Sequence, residues 1–240
     1  MPAVFFGVLV YLLFVCSFAY AVGFVGNLGL PTSLDGTAAV PAGRALLVDL
    51  ALLATFAVQH SVMARKGFKA WWTRYVPEAI ERSTYVLLAS LVLFALCWFW
   101  QPIEGAVWSV RDPAAVAALR AVFWMGWGVL LLSTFLINHF ELFGLSQVIT
   151  KLMGASLPEQ EFRTPLLYKH VRHPIYLGFL LSFWAAPEMT LGHLLFAAGS
   201  TGYILVGIWF EERDLVARFG ERYRAYGEKV PMLLPRFTRR

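Results

Sequence analysis

The chain has 240 residues, of which 59% are hydrophobic and 15% charged, and its mean hydropathy is +0.63. This composition excludes an ordinary soluble domain and indicates an integral membrane protein. The net charge of +5 does not indicate nucleic-acid binding, because the basic residues occupy short stretches between apolar spans and serve there as topological anchors. Cys16 and Cys97 both lie inside apolar spans, so neither a disulfide framework nor a cysteine metal site is predicted.

Apolar segments in chain order predict about six membrane helices. A span needs about 20 residues, and five segments approach or exceed that length: 3–25, 44–64, 84–100, 116–138 and 193–210. A shorter segment, 174–187, begins with proline at the first helical position and suits a re-entrant or tilted helix. The predicted fold is therefore an all-α polytopic membrane helical bundle.

No internal repeat or second domain is apparent in the sequence, so residues 1–240 are predicted to form one domain. Within it, residues 1–167 supply the N-terminal helices and residues 168–240 a helical hairpin followed by a cap. Lys and Arg accumulate in 65–82, in 139–173 and in the tail from 211, whereas 26–43, 101–115 and 188–192 carry only Arg111. Because basic residues favour cytoplasmic loops, both termini are predicted to be cytoplasmic.

The stretch YKHVRHPIYLGF, at 168–179, crowds cationic and titratable groups in front of the short apolar segment. If 174–187 and 193–210 form a hairpin, this stretch meets Glu211 and Glu212 on the cytoplasmic face. A helix beginning at Pro174 presents unpaired N–H groups and a positive dipole end that suit a carboxylate or phosphate. The two glutamates can accept hydroxyls or an ammonium group. Together these features would suit a zwitterionic, hydroxyl-bearing cofactor.

Each part of this constellation also has a structural explanation. Basic residues before a span are common anchors, and Glu-Glu-Arg-Asp can be a solvated helix start. Five residues beyond the glutamates fall at helical spacing and predict an amphipathic helix on the membrane surface: Leu215, Phe219, Arg222, Tyr223 and Tyr226.

The combination of RHPIYLG (172–178), EERDL (211–215), FGERYRAY (219–226) and VPMLLP (230–235) resembles the C-terminal core of the isoprenylcysteine carboxyl methyltransferase family. This resemblance implies an S-adenosylmethionine site at the cytoplasmic membrane boundary, beneath a cap formed by the tail. The residues that it implies at the cofactor are Tyr168, Arg172, His173, Tyr176, Leu177, Gly178, Glu211 and Glu212.

The remaining chain resembles the bacterial methanethiol S-methyltransferase branch of that family. The matching stretches are FAVQHSVMARKGFKAWWTRYVPEAIERSTYVLL (56–88), TFLINHFELFGLSQV (134–148) and MTLGHLLFA (189–197). The resemblance implies conversion of methanethiol to dimethyl sulfide in a bacterial inner membrane. Ser146 departs from the pattern, which has arginine in the FGLxQ stretch.

A thiol acceptor needs a group that takes its proton or holds the thiolate, because a thiol with a pKa of about 8.5 or higher is little ionised at neutral pH. His60 and His139 both end spans on the predicted cytoplasmic side and are candidates for this role, with Arg65 as a nearby cation. Histidines at these positions can equally be interfacial hydrogen-bonding residues.

Other functions stay open at this point. His60 and His139 could be axial ligands of a b-type haem. A methyltransferase could instead act on an isoprenylcysteine carboxylate, a lipid amine or a larger thiol. A transporter would predict inverted repeats or charges deep in the spans, and the sequence shows neither. The oligomeric state is not indicated.

Overall fold

The computed structural model describes residues 1–155 and 161–235, and these are predominantly helical. The helices are α1 (Pro2–Val25), α2 (Ala42–Ala64), α3 (Lys66–Trp72), α4 (Glu78–Phe99), α5 (Pro113–Ile137), α6 (His139–Leu142), α7 (Leu145–Leu152), α8 (Pro174–Trp184), α9 (Leu191–Phe219) and α10 (Glu221–Lys229). A 3₁₀ turn covers Leu166–Lys169, and two short strands are β1 (Ala106–Ser109) and β2 (Glu188–Thr190).

Five helices among the described residues are long and apolar enough to cross a membrane: α1, α2, α4, α5 and α9. This confirms the predicted all-α polytopic membrane fold. The short helix α8 has 11 residues, which at 1.5 Å per residue is about 16 Å, or roughly half the hydrocarbon thickness of a bilayer. Many large apolar side chains on the long helices are exposed, as lipid-facing residues are; Phe5 and Leu47 are 74% and 70% exposed.

The chain divides into two compact units. The first contains the described residues of Met1–Trp108, His139–Pro158 and Glu188–Phe196. In it α1 packs against α4, while α2 and α7 also pack on α4. The buried residues Val10, Met63, Tyr85 and Val86 form a core there, bordered by aromatic side chains that include Phe14 and Phe143.

A polar cluster in the same unit ties the segment after α1 to the start of α9. The carboxylate of Asp35 accepts hydrogen bonds from Thr190 Oγ1 at 2.6 Å and Asn27 Nδ2 at 2.6 Å, and lies 2.8 Å from Nδ1 of His193. Burial opposes ionisation of Asp35, but the charge and hydrogen bonds of its partners outweigh it, so the pKa of this carboxyl lies below its ordinary value of 3.8. The buried His193 therefore has a structural partner.

The two strands pair as a small sheet that the sequence analysis did not predict. The sequence predicts loops at 101–115 and 188–192, because strands of four and three residues are too short to show a periodic pattern. Gly105 and Ile103 supply carbonyls to Leu191 and Gly192 beside the sheet. The sheet thereby fixes the point at which α9 begins.

The second unit contains the described residues of Ser109–Asn138, Glu159–Pro187 and Ala197–Arg240. Helices α5 and α8 pack against each other, and their backbones approach closely at two glycines. A Cβ built on Gly126 would lie 2.7 Å from the carbonyl oxygen of Gly178, and a Cβ on Gly178 would lie 2.6 Å from that of Gly126. Small residues at a helix crossing permit this approach in membrane proteins.

Helix α9 runs nine residues beyond the predicted span 193–210, so Glu211 and Glu212, expected at its end, lie within it. The helix stops at Phe219 because Gly220 has φ +57° and ψ −131°, a conformation that side chains disfavour. The predicted amphipathic segment is therefore divided, with Leu215 and Phe219 on α9 and Tyr223 and Tyr226 on α10.

Candidate functional site

Helices α8 and α9 contact each other in antiparallel order along the second unit. Nε1 of Trp184 donates to Oγ1 of Thr201 at 3.0 Å, near one end of α8. At the other end, Nε2 of His173 lies 3.1 Å from Oε1 of Glu212. The motif before Pro174 and the glutamate pair, 38 residues apart in sequence, therefore lie at the same end of the two helices.

Arg172 joins the start of α8, the end of α9 and the tail. Its Nε donates to Oε1 of Glu212 at 2.8 Å, and one terminal nitrogen donates to the carbonyls of Gly227 and Val230 at 2.6 and 3.0 Å. The backbone N–H groups of Arg172 and His173 donate to the carbonyls of Pro231 and Met232. We call this set of contacts the tail latch; it holds residues 227–232 against the beginning of α8.

His173 precedes the first residue of α8 and is 4% exposed. Besides its contact with Glu212, its Nδ1 lies 3.8 Å from Oε2 of Glu211. The side chain of Glu211 is 45% exposed, so its carboxylate retains room for a further partner. Glu212 also borders an open groove of about 400 Å³ along α9.

Three tyrosines gather beside the latch. The hydroxyl of Tyr226 donates to the carbonyl of Tyr168, and the hydroxyl of Tyr168 reaches the carbonyl of Ser133 at 3.5 Å. Tyr223 is 5% exposed, and within the described residues its hydroxyl has no hydrogen-bond partner. Burial raises the pKa of Tyr226 to about 12 and also raises those of Tyr168 and Tyr223, so all three remain neutral phenols.

The other predicted cofactor residues lie on α8. The ring of Tyr176 is 5.7 Å from that of His173, and Leu177 is partly buried. Gly178 lies at the crossing with α5, where it permits the close approach to Gly126. Its contact with the cofactor, like that of the other residues in this set, stays a prediction.

The residues present fit the predicted cofactor. The first N–H groups of α8 have no partner within the helix and can receive a carboxylate, while Glu211 can accept hydrogen bonds from an ammonium group or hydroxyls. The buried hydroxyl of Tyr223, which has no hydrogen-bond partner among the described residues, is a further polar group. Among residues 1–155 and 161–235, no group of three His, Cys, Asp or Glu side chains could hold a metal ion.

The two candidate histidines lie in the first unit, and each contacts a tyrosine hydroxyl through Nε2. His139 is 2.9 Å from the hydroxyl of Tyr11 and 6% exposed, and His60 is 2.9 Å from the hydroxyl of Tyr85. Burial lowers the pKa of His139 below its ordinary value of 6.5, so this imidazole is neutral at neutral pH.

The candidate cation Arg65 lies at the C-terminal end of α2, five residues after His60. Its Nε approaches the carbonyl of Ser61 on its own helix at 3.3 Å. Arg82 instead lies over the ring of Tyr85 at 4.9 Å and donates to the carbonyl of Leu142 at 2.7 Å. The sequence analysis missed Arg82, although its position three residues before Tyr85 on α4 places the two side chains on one helix face.

These features define a multi-pass membrane protein with a polar, largely buried site at the end of two of its helices. The methanethiol S-methyltransferase of Mycobacterium tuberculosis is 57% identical over 230 residues, which cover 96% of this chain and 94% of that protein. Methanethiol S-methyltransferase 1 of Bradyrhizobium diazoefficiens is 53% identical over 230 residues, covering 96% of this chain and 81% of the relative. The chain belongs to the methanethiol S-methyltransferase family.

A more distant similarity, 29% identity over 209 residues, is to Nurim of Sus scrofa and covers 80% of this chain and 78% of that protein. No family model matches the chain, and no solved structure matches it. The predicted family and enzyme class, a membrane methyltransferase, are confirmed by the relatives.

Proposed function

We propose that this protein methylates methanethiol with S-adenosyl-L-methionine and releases dimethyl sulfide. The observation that carries the proposal is the tail latch and its glutamates at the α8–α9 end, in a chain whose close relatives are named for this acceptor. When bound, the cofactor would supply an electrophilic methyl group; the acceptor sulfur would bond to that methyl carbon in line as the donor carbon–sulfur bond breaks and S-adenosylhomocysteine leaves.

The residues of the second unit have the following proposed roles. Glu211 accepts hydrogen bonds from the ammonium group or hydroxyls of the cofactor, and the N-terminal end of α8 receives its carboxylate. Arg172, paired with Glu212, closes the tail over the site and keeps water out. Because charge is dispersed rather than created in this transfer, orientation and a dry site supply most of the catalysis.

We assign removal of the thiol proton to His139, with His60 as the other candidate base and Arg65 as a nearby cation that could hold the thiolate. A neutral imidazole is the form that accepts a proton, and the lowered pKa of His139 keeps it in that form at neutral pH. Its contact with Tyr11 orients the ring. Tyr85 contacts His60 in the same manner.

The proposed location is a bacterial inner membrane, with both termini in the cytoplasm. The distribution of Lys and Arg among the loops supports this orientation. A small apolar thiol can reach the protein through the bilayer.

The direct test is product formation by purified protein in lipid nanodiscs given methanethiol and S-adenosylmethionine. Headspace gas chromatography should detect dimethyl sulfide, with equal formation of S-adenosylhomocysteine. Turnover of a larger thiol, an isoprenylcysteine or a lipid amine without methanethiol turnover would overturn the acceptor assignment. A stoichiometric Soret band without cofactor binding would favour haem instead.

The glutamate assignment is tested by Glu211→Gln, with Glu221→Gln as the matched control. Glu221 is 85% exposed on α10 and pairs with Arg224. Since hydrogen bonds to charged groups contribute about 1.5–3 kcal/mol, Glu211→Gln should weaken binding of S-adenosylhomocysteine by roughly tenfold or more in calorimetry. Equal affinities of the two variants would remove Glu211 from the site.

A further inference from the structure

The Tyr223 hydroxyl on α10 is a buried polar group. The residue is 5% exposed, and no described residue forms a hydrogen bond with its oxygen. Burying a hydroxyl without a partner costs about 1–3 kcal/mol. A phenylalanine would give the same ring contacts without that cost.

The surroundings show that this part of the chain otherwise satisfies its phenols. Tyr226, three residues later on α10, donates to the carbonyl of Tyr168, and Tyr168 reaches a carbonyl on α5. The Tyr223 ring itself is packed, with Phe162 at 6.0 Å and Tyr226 at 5.8 Å between ring centroids. The neighbouring rings therefore hold the Tyr223 ring in place, while its hydroxyl oxygen is available to a partner other than the described residues.

The charged groups that act on this phenol are two members of the tail latch and the neighbouring Glu211. Glu212, Arg172 and Glu211 all act electrostatically on the phenol, and Arg172 is fastened to the carbonyls of Gly227 and Val230, which flank the end of α10. Burial together with the nearby carboxylates raises the pKa of Tyr223. The group is thus a neutral O–H that can donate one hydrogen bond and accept others.

We propose that the Tyr223 hydroxyl binds the methyl donor directly, so that α10 is a wall of the cofactor site as well as its cover. This inference rests on the proposed function, because it takes S-adenosylmethionine as the ligand. The hydroxyl would bind a polar group in the nucleoside or amino-acid part of the donor. Glu211 is placed to accept hydrogen bonds from groups of the same kind. The bound ligand then supplies the hydrogen-bond partner that the described residues do not provide.

The test compares Tyr223→Phe with Tyr226→Phe in the full-length protein in nanodiscs. Two quantities are measured: thermal stability without ligand, and the calorimetric affinity for S-adenosylhomocysteine. Tyr223→Phe should leave the stability unchanged or higher, because no protein hydrogen bond is lost, while binding weakens about 3- to 10-fold, the value of one net hydrogen bond. Tyr226→Phe should lower the stability without ligand, because it loses its bond to Tyr168.

Each other outcome is decisive. Unchanged affinity in Tyr223→Phe, with a wild-type protein that binds normally, overturns this inference and leaves the proposed function intact. A loss of stability in Tyr223→Phe equal to that in Tyr226→Phe shows a protein partner for the hydroxyl and overturns it as well. A wild-type protein that does not bind S-adenosylhomocysteine removes the proposed function together with the inference.

Discussion

The close approach of α5 and α8 gives a stability prediction with an internal control, because α5 carries two glycines in different surroundings. A Cβ on Gly126 would lie 2.4 Å from Oγ of Ser182 and 2.7 Å from the carbonyl oxygen of Gly178, whereas a Cβ on Gly128 would meet nothing within 4 Å. Ordinary contacts begin near 3.4 Å. In Gly126→Ala, helix α5 must therefore move away from α8, because the backbone carbonyl of Gly178 cannot rotate aside as a side chain could.

Both substitutions gain the same helix propensity, about 0.5–1 kcal/mol relative to glycine. That gain cancels when the two variants are compared, so their difference is the cost of overpacking, about 1–3 kcal/mol. Gly128→Ala should be neutral or stabilising, and Gly126→Ala should be less stable than it by this amount. Unfolding titrations in mixed detergent micelles measure the difference.

The crossing also positions the start of α8, so Gly126→Ala should weaken binding of S-adenosylhomocysteine while Gly128→Ala should not. Equal unfolding free energies of the two variants would show that the helices are not in contact at Gly126. Equal stability with unequal ligand affinity would likewise refute the packing argument, because the effect on the site is expected to follow from the movement of the helix.

Three further predictions concern other contacts. Arg172→Lys keeps the charge near Glu212 but loses the two hydrogen bonds to tail carbonyls, each of about 1 kcal/mol. Proteolysis within 221–232 should therefore be roughly 10- to 100-fold faster than in the control variant Arg213→Lys. Equal rates would show that the latch does not hold the tail. If His139 is the base, kcat/KM should fall with decreasing pH below pH 6.5 and be constant above it, because the lowered pKa of His139 keeps the imidazole neutral above that pH. The same fall in His139→Gln would show that another group causes it. Ionised Asp35 stabilises the fold above its unfolded pKa of about 3.8. Asp35→Asn should therefore be less stable than the wild type at pH 7, and this difference should shrink as the pH falls below about 3.8. A difference that does not change with pH would exclude an ionised Asp35.

Much of the fold could be predicted because lipid imposes a simple rule on sequence. A crossing helix must be apolar over about 20 residues, and the five long helices begin and end within a few residues of the apolar segments. Hydropathy misplaces a helix boundary where the end of the helix is polar. Glu78 and Glu81 lie in the first turn of α4, where acidic side chains favour the helix, yet hydropathy alone placed its start at residue 84.

The meeting of His173 with the glutamates was also predictable, because a hairpin of known length brings its two ends together. The tail latch was not, since it uses backbone carbonyls at Gly227 and Val230 that carry no sequence signal. The role of Arg82 could not be separated from that of Arg65 by spacing alone. The Tyr223 hydroxyl lacks a hydrogen-bond partner among the described residues, a property that depends on every neighbour in space and carries no sequence signal.

The tail latch can form only after all the long helices have been synthesised. The carbonyls that Arg172 and His173 bind belong to residues 227–232, so a nascent chain already holding all its long helices still lacks them. Premature termination anywhere before residue 227 should leave an inserted protein without the latch. Synthesis through residue 232 is thus a requirement for closing the latch that membrane insertion alone does not meet.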